Sequence, residues 1–132
     1  MSFPSKKGDL RKNSQLAIVS KIGVVFYVST SGGSPIEEFI QSLPKSDQAR
    51  FADVYEGIKE FGLQCPRVSF RQLRGKLWEI KFSAKSGGYR ICYVMIDREV
   101  MMWLHAFKKK TQKTPLHELE LAERRMKEVL CE

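Results

Sequence analysis

Between Leu77 and Phe107 three β-prone runs follow one another with only short turns between them. Leu77–Phe82 alternates, with Trp78, Ile80 and Phe82 on one face and Glu79 and Lys81 on the other. Ser86-Gly87-Gly88 supplies a turn, Tyr89–Ile96 is the second run, Asp97-Arg98-Glu99 turns again, and Val100–Phe107 is the third. Such spacing predicts a three-stranded antiparallel meander. Placing Phe82 opposite Tyr89 gathers Trp78, Ile80, Phe82, Tyr89, Ile91 and Tyr93 on one face, whereas a slip of one residue mixes the faces. The same register sets Lys81 opposite Arg90 and Glu79 opposite Cys92. With a two-residue turn at Arg98-Glu99, His105 falls opposite Cys92, on an open face shared with Lys81 and Arg90; a three-residue turn moves it to the other face.

A sheet with one apolar face needs a cover. Ser34-Pro35 reads as a helix start, and Ile36, Phe39, Ile40 and Leu43 follow at helical spacing. Past Pro44, with Ser46 as the expected cap, Phe51, Val54, Tyr55, Ile58 and Phe61 continue the pattern up to Gly62. Thr114-Pro115 opens a last helix with Leu119, Ala122, Met126 and Val129 as its stripe. Ile22–Ser29 reads as one further strand. The expected class is α+β: a mainly meander antiparallel sheet packed against an N-terminal helical hairpin and a C-terminal helix. Residues 1–20 read as a flexible basic extension, and 21–132 as a single domain.

Charge is concentrated where the meander is. The chain of 132 residues carries +8, and Arg67–Lys113 alone holds 12 basic side chains against 3 acidic ones. That pattern suits an anionic partner. Arg71, Arg74 and Lys76 precede the meander, and Lys108, Lys109, Lys110 and Lys113 follow it. Among the interleaved rings, Phe107 is the one expected to be partly exposed and able to stack on a base. Three widely spaced cysteines and two histidines make neither a disulfide framework nor a zinc cluster, so no metal and no cofactor is expected. No apolar run has membrane-spanning length. Lys21 interrupts the apolar stretch after the basic start, so export is not expected and the cytoplasm is. Nucleotide-binding, serine-hydrolase and zinc-protease motifs are missing. Cys92 lies in a strand expected to be packed, which leaves little for Cys/His catalysis. Cleavage of RNA remains permitted, because the ribose 2′-oxygen is the nucleophile and the protein need only orient the phosphate, stabilise its charge and move protons.

The stretches Leu73-Arg74-Gly75, Leu77-Trp78-Glu79-Ile80-Lys81, Tyr89-Arg90-Ile91, Leu104-His105-Ala106-Phe107-Lys108-Lys109 and Lys113-Thr114-Pro115 together resemble the RelE/ParE toxin superfamily, most closely its HigB-type, phage-associated branch. Pro35-Ile36-Glu37-Glu38-Phe39 and Leu43-Pro44 add to the likeness, which spans about Ile22–Leu130. The resemblance implies a toxin of a toxin–antitoxin system that cleaves mRNA on the ribosome without a metal. It implies Lys81, Arg90, His105 and Lys109 as catalytic candidates: Lys81 for proton transfer or charge stabilisation, Arg90 on the scissile phosphate, Lys109 on the phosphate or leaving side, His105 as acid/base. Arg71, Arg74, Lys76, Phe107, Lys108, Lys110 and Lys113 are the expected RNA and ribosome contacts. The implied partners are mRNA, the ribosome and a cognate antitoxin with a helix-turn-helix domain. Two departures leave the acid and base open: Glu79 stands where some relatives carry lysine, and the late tyrosine of RelE proper is missing near Pro115. A ParE-like inhibitor of DNA gyrase and a non-catalytic RNA- or DNA-binding module are the alternatives.

Overall fold

A computed structural model describes residues 21–131; the extension expected over residues 1–20 lies outside them. Among the described residues there are three α-helices and one five-stranded sheet. In chain order they are β1 (Gly23–Phe26), α1 (Pro35–Gln41), α2 (Lys45–Phe61), β2 (Ser69–Arg74), β3 (Leu77–Ala84), β4 (Gly87–Asp97), β5 (Val100–Lys108) and α3 (Leu116–Leu130). The sheet order is β1-β5-β4-β3-β2, antiparallel except that β1 runs parallel to β5. The class is therefore α+β, as the sequence predicts.

The register of β3 on β4 is the expected one: Phe82 faces Tyr89, Lys81 faces Arg90 and Glu79 faces Cys92. Between β4 and β5 the path is less direct. Asp97 pairs with Val100 across the two-residue turn, but Met95 pairs with Met101, so Ile96 is an extra residue on β4. Tyr93 pairs with Trp103 and Cys92 with His105, so Leu104 is an extra residue on β5. The two bulges cancel, and His105 reaches the expected partner.

The sheet is covered on both faces. Ile36 of α1 and Phe51, Val54 and Ile58 of α2 pack with Ile80, Phe82, Tyr89, Ile91, Tyr93 and Trp103 on one side. Phe51 meets Phe82 and Tyr89 edge-on, with centroids 4.9 and 5.1 Å apart. Ala122 and Met126 of α3 pack with Leu77, Cys92, Val94, Leu104 and Phe107 on the other. The face bearing Arg90 and His105 is thus covered by α3 and the loop before it, and the expectation of an open face is corrected.

Several local expectations change too. α2 begins at Lys45 with Pro44 in the cap position, so Ser46 lies inside the helix and caps nothing. Ser34 precedes Pro35 at the start of α1, but its side chain makes no cap bond. α3 does start at the expected Thr114-Pro115 pair, with Pro115 in the cap position. The turn between β3 and β4 is Lys85-Ser86, with Gly87 and Gly88 already in the strand. Gly87 has φ of +143°, where a side chain would be strained.

Asp47, buried in the first turn of α2, fixes that turn to the hairpin. It accepts Tyr89 Oη at 2.6 Å, the Ser86 backbone N–H at 3.3 Å and the Ser86 hydroxyl. These bonds, those from Ser86 first and Tyr89 second, hold its carboxyl below the usual carboxylate range. A depressed folded-state pKa means stability that is present above the unfolded value, about 4, and is lost as pH falls through the folded value. We therefore expect Asp47→Asn to lower the urea midpoint at pH 7. The difference from the parent should shrink as both are titrated toward pH 3. A constant difference across that range would show that Asp47 acts without its charge.

Candidate functional site

At the Ser69, Lys81 and Gly88 end of the sheet a cleft of about 680 Å³ opens to solvent. Its lining includes Arg50, Arg67, Ser69, Lys81, Ser83, Gly88 and Lys109. Four of these are cationic, and they come from α2, the loop before β2, β3 and the end of β5. Strand pairing brings Lys81 and Lys109 to it. Ser69 is opposite Lys81, Ser83 is opposite Gly88, and Lys109 N–H donates to Gly88 O at 2.8 Å. The Lys109 stem lies along Gly88, at ordinary van der Waals distance from where a Cβ would stand.

Arg50 is the strut of the cleft. Its Nε donates to Ser83 O at 2.9 Å and its Nη2 to Arg67 O at 3.2 Å, with the guanidinium 5.4 Å from the centre of the Phe82 ring. Arg67 has φ of +65°, a conformation uncommon outside glycine that costs on the order of 1 kcal/mol.

Of the catalytic candidates, Lys81 and Lys109 reach this cleft and Arg90 and His105 are not among its lining residues. Arg90 is 1% exposed. Its Nη1 donates to Thr114 Oγ1 at 2.8 Å and lies 3.6 Å from Glu79 Oε1, and its Nη2 bonds the carbonyls of Thr111 and Gln112. Thr114 in turn donates to Glu79 Oε1 at 2.6 Å, and Arg71 Nη2 reaches Glu79 Oε2 at 3.0 Å. This network answers the like-charge pair read from the register. Arg90 turns inward to Glu79, while Lys81 stays exposed.

His105 Nε2 lies 2.6 Å from Glu118 Oε1 and its ring stacks on Phe107. Burial pushes the imidazole below its ordinary range, against the opposing pull of Glu118. Cys92, opposite His105, is fully buried, and its thiol is pushed up to about 12, first by burial. It is inert at neutral pH.

The expected RNA contacts divide in the same way. Phe107 is buried and packs under α3, which corrects its expected exposure. Arg71 is taken up by Glu79, and Arg74 by Glu123 at 2.9 Å. Arg74 and Lys76 flank the far end of β2, about 16 Å from Ser69 along the strand. Lys108 is exposed on the opposite face from Lys109, 6.0 Å from the centre of the Tyr89 ring. Lys110 and Lys113 are exposed in the loop that Arg90 holds. Sequence reasoning singled out neither Arg50 nor Arg67 for the site. Arg67 belongs to the basic stripe, but Arg50 is one charge in a nearly neutral hairpin and nothing local marks it.

Among the described residues, no group of three or more His, Cys, Asp or Glu is placed to hold a metal ion. None of the described helices is long and apolar enough to cross a membrane.

Fold and cleft together define a small α+β domain that presents a strongly basic cleft at one end of its sheet. The chain belongs to the phage derived protein Gp49-like family (DUF891), whose model matches residues 38–127. That span contains every residue of the cleft. No curated protein matches the chain.

Proposed function

We propose that the protein is a toxin of the RelE/HigB kind that cleaves mRNA on the ribosome without a metal. The observation that carries the reading is the convergence of four cations on one cleft, Lys81 and Lys109 through strand pairing and Arg50 and Arg67 through the Arg50 hydrogen bonds. Membership of a phage-derived family associated with toxin-like proteins supports it. In this reading the cleft seats the scissile phosphate. Lys81 and Lys109 neutralise the charge that develops as the 2′-oxygen bonds to phosphorus and the bond to the 5′-oxygen breaks, leaving a 2′,3′-cyclic phosphate. The 2′-hydroxyl proton passes to solvent and the Lys81 ammonium protonates the departing 5′-oxygen. The inward-facing Arg90 acts as a positioning residue: it fixes the loop that continues the Lys108–Lys110 run. An antitoxin would then neutralise the protein by covering the basic cleft.

The test is incubation of the purified chain with translating ribosomes and a defined mRNA, followed by mapping of 5′ ends. New ends at A-site codons, absent without ribosomes, are the expected result. A folded protein that yields none sinks the nuclease reading; inhibition of DNA supercoiling in its place would establish the gyrase alternative.

A further inference from the structure

We infer that Arg67 is a second phosphate-binding group of the cleft, taking a phosphodiester beside the scissile one, and that Arg50 is the residue that positions it. The inference deepens the RNA reading above and rests on it. Three observations converge. First, Arg67 lines the same cleft as Lys81 and Lys109 but enters from the loop before β2, across the width of the opening from Lys109 on the β5 side. Cations spread across the opening in this way suit successive phosphates of one strand. Second, Arg67 holds a left-handed backbone in which arginine is uncommon. Packing gives no reason for arginine there: the side chain is exposed, and glycine would meet the backbone requirement without strain. What arginine adds at that position is the guanidinium, a planar fork suited to phosphate oxygens. Third, Arg50 grips the Arg67 carbonyl and the Ser83 carbonyl with two of its nitrogens, so the strained loop is tied to the end of β3, beside Lys81. The position of Arg67 relative to the Lys81 strand is thereby held by one side chain.

The ligand this implies is a single-stranded, flexible polyanion whose phosphates follow one another along the cleft, as in an mRNA strand, and not an isolated phosphate.

The test uses the full chain and a labelled 2′-O-methyl oligoribonucleotide of about ten nucleotides, which binds but lacks the nucleophile. Arg67→Gly keeps the left-handed backbone and deletes only the guanidinium. We expect its urea midpoint to be unchanged or higher and its affinity to fall roughly tenfold. The slope of log K against log salt should shrink by about 0.7, the value for one lost contact on a single strand. Arg67→Gly with parent affinity and parent slope overturns the inference, as does a parent chain that shows no salt-dependent binding. Arg50→Lys keeps a charge but cannot hold both carbonyls. It should weaken binding in the parent and have no further effect in the Arg67→Gly background. A further loss there would mean that Arg50 touches phosphate itself, and would overturn its assignment as a positioning residue. Binding that behaves as expected in a protein that never cleaves mRNA on ribosomes would leave this site standing and remove the nuclease reading.

Discussion

Lys81→Ala should reduce ribosome-dependent cleavage by about 10²–10³ while leaving the fold intact. The side chain is exposed on β3, and its strand neighbours Ile80 and Phe82 are buried on the opposite face, so its removal disturbs no packing. Exposed substitutions of this kind change stability by about 0.5 kcal/mol or less. The loss must then come from chemistry. A group that stabilises charge only as the phosphate is attacked lowers turnover without lowering affinity by the same factor. RNA binding by Lys81→Ala should therefore fall far less than cleavage does. Lys81→Arg separates the two roles assigned to this residue. Arginine keeps the charge but does not give up a proton, so partial recovery points to charge stabilisation, and none points to proton transfer. Equal, modest losses of binding and cleavage in Lys81→Ala would instead make the cleft a plain anion-binding surface. Full cleavage in that variant would remove Lys81 from the site.

The parts of this fold that the sequence reveals are those governed by two periodicities. Trp78, Ile80, Phe82, Tyr89, Ile91 and Tyr93 alternate without interruption, so their register is specified and the structure follows it. Ile36, Phe51, Val54, Ile58, Ala122 and Met126 mark three helices because each stripe is buried on one side. β2 escapes the same reading. Its two apolar residues, Phe70 and Leu73, stand three apart and pack on opposite faces of the sheet, with the register slipping between Gln72 and Arg74. A period of two cannot register across such a shift, and the segment reads only as a basic stripe. The parallel pairing of β1 with β5 has no local signature either, because it depends on where the chain returns. For the cleft, charge density marks Lys81 and Lys109, which line it, but gives no sign of Arg50. Arg90 and Lys81 are opposed in register, yet one is buried and the other exposed; what separates them is Thr114 and the carbonyls of a loop more than twenty residues away. Arg50 illustrates the converse, a cleft residue whose role exists only because α2 crosses the end of β3.

Arg90→Ala should destabilise the protein by about 3 kcal/mol, the lower end of the range for breaking a buried ion pair. Glu79 and Arg90 are each 1% exposed, so neither partner can recover solvation when the other is removed. Arg71 still reaches Glu79, but its side chain is about half exposed and its attraction is screened, which places the loss at the low end and does not abolish it. Thr114 would keep Glu79 and lose Arg90, and the carbonyls of Thr111 and Gln112 would lose their donor, so the loop before α3 should loosen as well. For a chain of this size the change corresponds to roughly 10 °C in Tm. A loss below about 1 kcal/mol would contradict the network as described. Cleavage by Arg90→Ala is therefore expected to fall for a structural reason, and the double variant Glu79→Gln/Arg90→Met isolates it. Removing both charges and filling the space with an unbranched apolar chain should restore most of the stability. Cleavage that returns with the fold assigns Arg90 to positioning the loop that carries Lys110 and Lys113. Cleavage that stays absent in a stable, RNA-binding double variant would mean that the buried guanidinium turns out to meet the phosphate during the reaction, as the family resemblance implies.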